Sequence, residues 1–136
     1  MPRETKRATL TWRQGLEFVG EASDGLVTTI DGDNKAGPGP MLTLLLAAAA
    51  CSGSDVVVIL GKMREQLKGL RIEVEGVRRE EEPRRYVAIH LDYRLEGAGL
   101  DPAKARRAID LSVEKYCSVI HSLAPDIAIT YALSLA

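Results

Sequence analysis

Residues 37–67 read GPGPMLTLLLAAAACSGSDVVVILGKMREQL and contain the longest apolar run of the chain. Residues 41–50 and 56–60 are hydrophobic on nearly every side of a helix, so this helix has to be covered all round. Cys51 lies between them, beside the polar cluster at residues 52–55. That cluster would sit at the depth of the hydrocarbon in a membrane, which argues against a spanning helix. We therefore predict a buried helix of a soluble protein.

Short segments of alternating polarity flank this helix on both sides. The alternation predicts half-buried strands, and the Gly and Asp residues between them predict turns. Gly69 is placed to end the central helix, and Asp101 followed by Pro102 predicts an N-cap and the start of a second helix. The predicted strands are residues 8–13, 16–22, 26–31, 70–82, 84–97 and 127–133. The pattern gives an α+β fold in a single domain, residues 1–136.

The composition excludes several classes of protein. The chain has 136 residues, of which 46% are hydrophobic and 27% charged, with a net charge of -1. This composition is typical of a globular domain, and it shows no basic stripe for nucleic acid. The N-terminal MPRETKR is not followed by an apolar signal region. We expect a cytoplasmic protein that binds neither nucleic acid nor a membrane.

The neighbours of Cys51 permit two interpretations. If residues 52–55 form a capping box, a second helix begins there, and its dipole lowers the pKa of the Cys51 thiol. If the helix is continuous, Asp55 lies one turn away, its charge opposes a thiolate, and a cation is required. In a third interpretation, Cys51 is simply a small buried side chain.

Other residues qualify as partners of Cys51. Cys117 follows the second helix, whose apolar face has to dock on another element, so a redox pair is feasible. Arg13, at the end of the first strand, is a candidate cation, and Glu17 or Glu21 is a candidate to orient it. His121 follows Cys117 by one helical turn, but one histidine and two cysteines give at most three zinc ligands. We therefore expect no metal site.

The whole chain resembles the OsmC family, which includes the osmotically inducible and organic hydroperoxide resistance proteins. The resemblance rests on three motifs: GPGPM leading into LLLAAAAC (37–51), CSGSDVV (51–57) and EKYCSVI (114–120). It is strongest for the branch with a Gly-Pro-x-Pro-Met entry and an Asp-Val-Val exit. It implies an intertwined homodimer in which antiparallel sheets from both subunits wrap the long cysteine-bearing helices.

The resemblance also implies chemistry and site residues. Cys51 corresponds to the peroxidatic cysteine, which reduces a hydroperoxide, and Cys117 to the resolving cysteine. An external dithiol reduces the resulting disulfide, with no cofactor. Arg13 is matched to the arginine that binds the peroxide and favours the thiolate. The family's glutamate follows the methionine of the entry motif, and here that position is Leu42.

Two functions follow from these observations. The first is a thiol-dependent hydroperoxide reductase. The alternative, favoured by Leu42, is a weakly active or inactive dimer of the same fold that acts as a redox sensor or binds a small molecule or partner.

Overall fold

In the computed structural model, which describes residues 3–136, the chain forms six strands, three α-helices and one π-helix. The strands are β1 (Ala8–Gln14), β2 (Glu17–Ala22), β3 (Val27–Asp31), β4 (Gly69–Arg78), β5 (Tyr86–Glu96) and β6 (Ala128–Leu135). The helices are α1 (Pro40–Lys62), α2 (Pro102–Leu111), the π-helix (Ser112–Tyr116) and α3 (Ser118–His121). The predicted α+β class is confirmed.

The described residues up to Leu44 form one compact unit. Its antiparallel sheet has the strand order β1-β2-β3. Behind β3, the carboxylate of Asp31 accepts hydrogen bonds from the backbone N–H groups of Asp33, Lys35 and Ala36 at 2.9, 3.3 and 3.0 Å. These bonds lower the pKa of Asp31 and organise the loop that leads into α1.

Residues 45–136 form the second unit, which has a sheet of its own. In this sheet β4 and β5 are antiparallel, whereas β5 and β6 are parallel. The prediction of one domain over residues 1–136 stays a prediction beside this division.

The buried core of the second unit lies between its sheet and its helices. Alternate residues of β5 face this core, as predicted: Ile89, Leu91, Tyr93 and Leu95 are 1% exposed or less. Regular alternation along β5 also predicts Val87 on this face, but Val87 is 36% exposed and Tyr86 is buried in its place. The register shifts between Val77 and Arg78, so a β-bulge at the end of the hairpin reverses the alternation there.

Helix α1 is continuous from Pro40 to Lys62 and ends earlier than predicted. Arg64 takes a left-handed φ of 62°, and its N–H donates to Gly61 O at 3.1 Å. The N–H of Glu65 donates to Leu60 O at 2.9 Å, which completes a Schellman motif. The left-handed position after a helix usually favours glycine, but here it is occupied by Arg64. The sequence therefore predicted the helix end at Gly69 instead.

By length and composition, α1 is also the one helix among residues 3–136 that could cross a membrane. The core helix of a soluble protein passes the same test, so this finding is weak evidence. Part of the helix surface is uncovered, because Leu46, Val57 and Val58 are 48%, 51% and 55% exposed.

Helix α2 begins as predicted. Asp101 has extended backbone angles, and its carboxylate accepts a hydrogen bond from Ala103 N at 2.9 Å. Pro102 occupies the first turn. At its other end α2 passes directly into the π-helix, which delivers the chain to Cys117.

Candidate functional site

Cys51 lies in the middle of α1, not at the start of a second helix. The capping-box interpretation is therefore wrong. Ser54 does not cap a new helix; its hydroxyl donates to Ala50 O at 2.8 Å, one turn back in the same helix. Gly53 lets this segment approach β4 closely, since a Cβ there would lie 3.2 Å from Ile72 Cδ1.

The second unit brings Cys51 and Cys117 together. Both are free thiols, and Cys51 lies close enough to Cys117 to raise the pKa of its thiol. Cys51 is partly exposed, whereas Cys117 is completely buried. The fold thus brings together two thiols that lie 66 positions apart in the sequence, while their role as a redox pair stays a prediction.

Cys117 also caps the short helix α3. Its sulfur accepts a hydrogen bond from Ile120 N at 3.5 Å and lies 3.9 Å from Ala48 O. Burial raises the pKa of the Cys117 thiol to about 11; the hydrogen bond from the Ile120 N–H opposes this shift, while the nearby Cys51 adds to it. Cys117 therefore keeps its proton at neutral pH.

A chain of buried hydroxyl groups lies next to the two thiols. Ser52 Oγ is 2.5 Å from Tyr93 Oη and 2.8 Å from Ser112 Oγ. Ser112 Oγ in turn donates to Asp55 Oδ2 at 2.9 Å. Ser52, Tyr93 and Ser112 are fully buried, and no buried side-chain N or O atom among the described residues lacks a partner.

The tyrosine at the inner end of this chain is electrostatically close to Cys117. Burial raises the pKa of Tyr93 to about 12; the hydrogen bond to Ser52 lowers it, and the charge of an ionised Cys117 raises it. Tyr93 also makes an edge-to-face contact with Tyr131 at a centroid distance of 5.9 Å. Tyr131 donates to Asp110 Oδ1 at 2.5 Å.

Sequence reasoning missed Ser112 and Tyr93 as members of this site. Tyr93 was recognised only as an inward-facing strand residue. Nothing in the sequence pairs Ser112 with Ser52, from which it is separated by 60 positions. For Ser52 and Ser112, the one local signal is polarity: each serine occupies a fully buried helical position, where a hydroxyl needs a hydrogen-bond partner.

Arg13 lies in the first unit, at an irregularity of β1. The register shifts between Trp12 and Gln14, so Arg13 is the extra residue of a β-bulge. Its side chain is 61% exposed and forms an ion pair with Glu17 at 3.4 Å. Glu17 was one of the carboxylates expected to orient it. The role of Arg13 toward the cysteines stays a prediction.

The remaining candidates carry little chemistry. His121 Nε2 is 3.1 Å from Val113 O. Within residues 3–136, no group of three or more His, Cys, Asp or Glu side chains is placed to bind a metal ion. A groove of about 550 Å³ beside Asp55 and Lys62 is lined by neither cysteine.

Comparison with known proteins gives a consistent set of matches. The family model described as OsmC-like protein matches residues 32–132. Protein YhfA of Escherichia coli K12 is 39% identical over 127 residues, which cover 93% of this chain and 95% of YhfA. The crystal structure of a hypothetical protein from Aquifex aeolicus VF5 has a TM-score of 0.89 at 31% identity, covering 98% of both chains.

An organic hydroperoxide resistance protein OsmC from Legionella pneumophila has a similar fold. Its crystal structure gives a TM-score of 0.72 at 15% identity and covers 98% of this chain and 99% of its own. At that identity the likeness concerns the fold alone.

Proposed function

The chain belongs to the OsmC-like protein family, and on that premise we propose that it is a thiol-dependent hydroperoxide reductase. Membership confirms the resemblance inferred from the three motifs. The observation that supports the proposal most directly is the proximity of two free cysteines, Cys51 and Cys117, that are distant in sequence. Two thiols held together in this way can store the two electrons that reduction of a peroxide bond requires.

The different environments of the cysteines suggest their roles. Cys51 is partly exposed and is the one that a hydroperoxide can reach, whereas Cys117 is completely buried. The raised pKa of Cys117, about 11, keeps it as a thiol and disfavours direct attack on the substrate. Cys51 is thus the peroxidatic and Cys117 the resolving cysteine.

The reaction proceeds in three steps. The Cys51 thiolate attacks the distal oxygen of ROOH, the O–O bond breaks, and the alkoxide takes a proton to leave as ROH. Cys51 is now a sulfenic acid. Cys117 then loses its proton and attacks the Cys51 sulfur; the S–O bond breaks, and the hydroxide leaves as water. An external dithiol reduces the disulfide by exchange.

Arg13 is proposed as the arginine that binds the peroxide. A guanidinium can donate hydrogen bonds to a peroxide oxygen and stabilise the negative charge of the leaving alkoxide. Two observations support this role: the β-bulge at Arg13, because bulges often redirect functional side chains, and the ion pair with Glu17. Glu17 would take the place of the family glutamate, which Leu42 cannot supply.

The protein is proposed to act as a homodimer in the cytoplasm. Each compact unit exposes large apolar side chains, among them Trp12 and Leu26 in the first unit and Val57 and Val58 in the second. Apolar surface of this extent is rarely left to solvent. A second copy of the chain would cover it. A reducing compartment would keep both cysteines free and supply the dithiol.

Peroxide consumption with dithiothreitol as reductant tests the proposal. Wild-type protein, Cys51→Ser and Cys117→Ser are compared with cumene hydroperoxide at neutral pH. We expect turnover by the wild type and none above background by Cys51→Ser. In Cys117→Ser the sulfenic acid has to react directly with dithiothreitol, so its rate should depend more strongly on the dithiothreitol concentration. A wild-type rate no greater than that of Cys51→Ser would refute the proposal.

Leu42 favours a second candidate function, that of a redox sensor. Without the family's glutamate, oxidation of Cys51 could be slow and serve as a signal. A sensor would form the disulfide once per oxidation event and show little steady-state turnover. The same assay separates the two functions, because it measures turnover beyond the first equivalent of peroxide.

A further inference from the structure

Two parallel side-chain contacts join α1 to the segment that carries Cys117. Ser52 meets Ser112 at an Oγ–Oγ distance of 2.8 Å, and the neighbouring Cys51 lies close enough to Cys117 for the two thiols to interact electrostatically. Adjacent residues of α1 thus contact residues that lie five apart in the other segment. We call these two contacts the serine rung and the cysteine rung.

The π-helix makes this alignment possible. In a regular α-helix, residues five positions apart point in directions that differ by about 140°, as follows from 3.6 residues per turn. Here the N–H of Cys117 donates to Ser112 O at 2.8 Å, five residues back. This wider turn places Cys117 nearly in line with Ser112, so both can face the same edge of α1. Such turns are frequent at functional sites.

The serine rung has a defined direction and a firm anchor. Ser112 gives its single hydroxyl proton to Asp55, so its oxygen must accept from Ser52. Ser52 has then given away its own proton and must accept from Tyr93. Every hydroxyl therefore has one allowed orientation. Since these three side chains are fully buried, none can exchange its partner for water.

We propose that Ser52 and Ser112 are positioning residues for formation of the Cys51–Cys117 disulfide, an inference that rests on the resolving role assigned to Cys117 above. The serine rung fixes the π-helix against α1 and so keeps the Cys117 sulfur beside Cys51. Loss of the Ser112 hydroxyl removes one buried and one partly buried hydrogen bond. The π-helix then gains freedom, and the effective concentration of one sulfur at the other falls.

The test is the equilibrium between dithiol and disulfide in buffers of reduced and oxidised dithiothreitol. Ser112→Ala should lower the equilibrium constant for the disulfide about tenfold, which makes the reduction potential less negative by about 30 mV. Ser52→Ala removes the other hydroxyl of the serine rung and should also lower the equilibrium constant for the disulfide. Ser112→Thr retains the hydroxyl and should stay within about twofold of the wild type.

Ser54→Ala is the matched control. Ser54 lies two residues from Ser52 on the same helix, is exposed, and bonds only to Ala50 O in its own helix. Its equilibrium constant should equal that of the wild type. A purely structural role of Ser112 would destabilise the dithiol and disulfide forms equally, so it would cancel from this ratio.

Either of two results overturns the inference: wild-type constants in both Ser112→Ala and Ser52→Ala, or an equal loss in Ser112→Ala and Ser112→Thr. Absence of any Cys51–Cys117 disulfide in the wild type would overturn it too. Because no peroxide is used, the proposed function can fail separately, if the protein forms the disulfide under dithiothreitol but consumes no hydroperoxide.

Discussion

The burial of Cys117 predicts a pH dependence of stability that its removal should abolish. The folded protein holds the thiol proton more tightly than the unfolded chain, because burial raises the pKa from an ordinary 9.0 to about 11. Below pH 9 both states carry the proton, and the stabilising effect is complete. As the pH rises from 9 to 11 the unfolded chain ionises first, so the free energy of unfolding falls. Cys117→Ala has no proton to lose at this position.

These pKa values give the size of the effect. At pH 10 a thiol of pKa 9.0 is largely ionised in the unfolded chain, whereas one of pKa about 11 is largely protonated in the folded protein. The resulting loss of stability is about 1.4 kcal/mol, at 1.36 kcal/mol for each pKa unit. Tyr93 is present in both proteins, and its pKa of about 12 keeps it protonated in the folded wild type at pH 10, so its contribution nearly cancels.

Urea denaturation of wild type and Cys117→Ala, both kept reduced, measures this difference between pH 7.5 and 10. The alanine variant should be less stable at neutral pH, since removing the buried sulfur leaves a small cavity. That deficit should shrink by about 1.4 kcal/mol as the pH reaches 10. A deficit that stays constant within about 0.3 kcal/mol would show that Cys117 titrates normally, and would refute the burial argument.

Three further predictions, with their control variants, test separate parts of the account. Gly76→Ala should lower the free energy of unfolding, measured by urea denaturation, by about 1–3 kcal/mol, because the new Cβ would lie 2.5 Å from Tyr86 Cε1. Gly61→Ala is the control: it has open space around it and should be neutral or stabilising. Asp101→Ala removes the N-cap of α2 and should lower the thermal midpoint, at a cost of about 1 kcal/mol; equal midpoints would contradict the cap. Arg13→Ala should lower kcat/KM for cumene hydroperoxide by about 10–100-fold through loss of a charge-assisted hydrogen bond, with partial recovery in Arg13→Lys, and unchanged kinetics would remove Arg13 from the site.

The parts of the fold that depend on local pattern were predictable from the sequence. Alternation identified the inward face of β5, and Asp101-Pro102 identified the start of α2. Features that depend on tertiary structure were not. The β-bulge that buries Tyr86 and exposes Val87 arises from the register between β4 and β5. The early end of α1 requires Arg64 to adopt a backbone conformation that its residue type disfavours.

The residues of the candidate site also divide into those that the sequence identified and those that it did not. Cys51 and Cys117 stood out because thiols are rare in this chain and lie within recognisable motifs. Ser52, Ser112 and Tyr93 did not, because serine and tyrosine are common and their roles depend on the π-helix. The π-helical turn contains one residue more than an α-helical turn, and no periodic pattern in the sequence marks it. Regular α-helical spacing would place Ser112 and Cys117 on different sides of the helix.

Trapping the first oxidation product tests the central claim most directly. Reduced wild type, Cys117→Ser and Cys51→Ser receive one equivalent of cumene hydroperoxide with dimedone, and each product is analysed by peptide mass spectrometry. The account predicts a dimedone adduct on Cys51 in Cys117→Ser, a Cys51–Cys117 disulfide in the wild type, and neither product in Cys51→Ser. An adduct on Cys117, or no modification of Cys51, would contradict it.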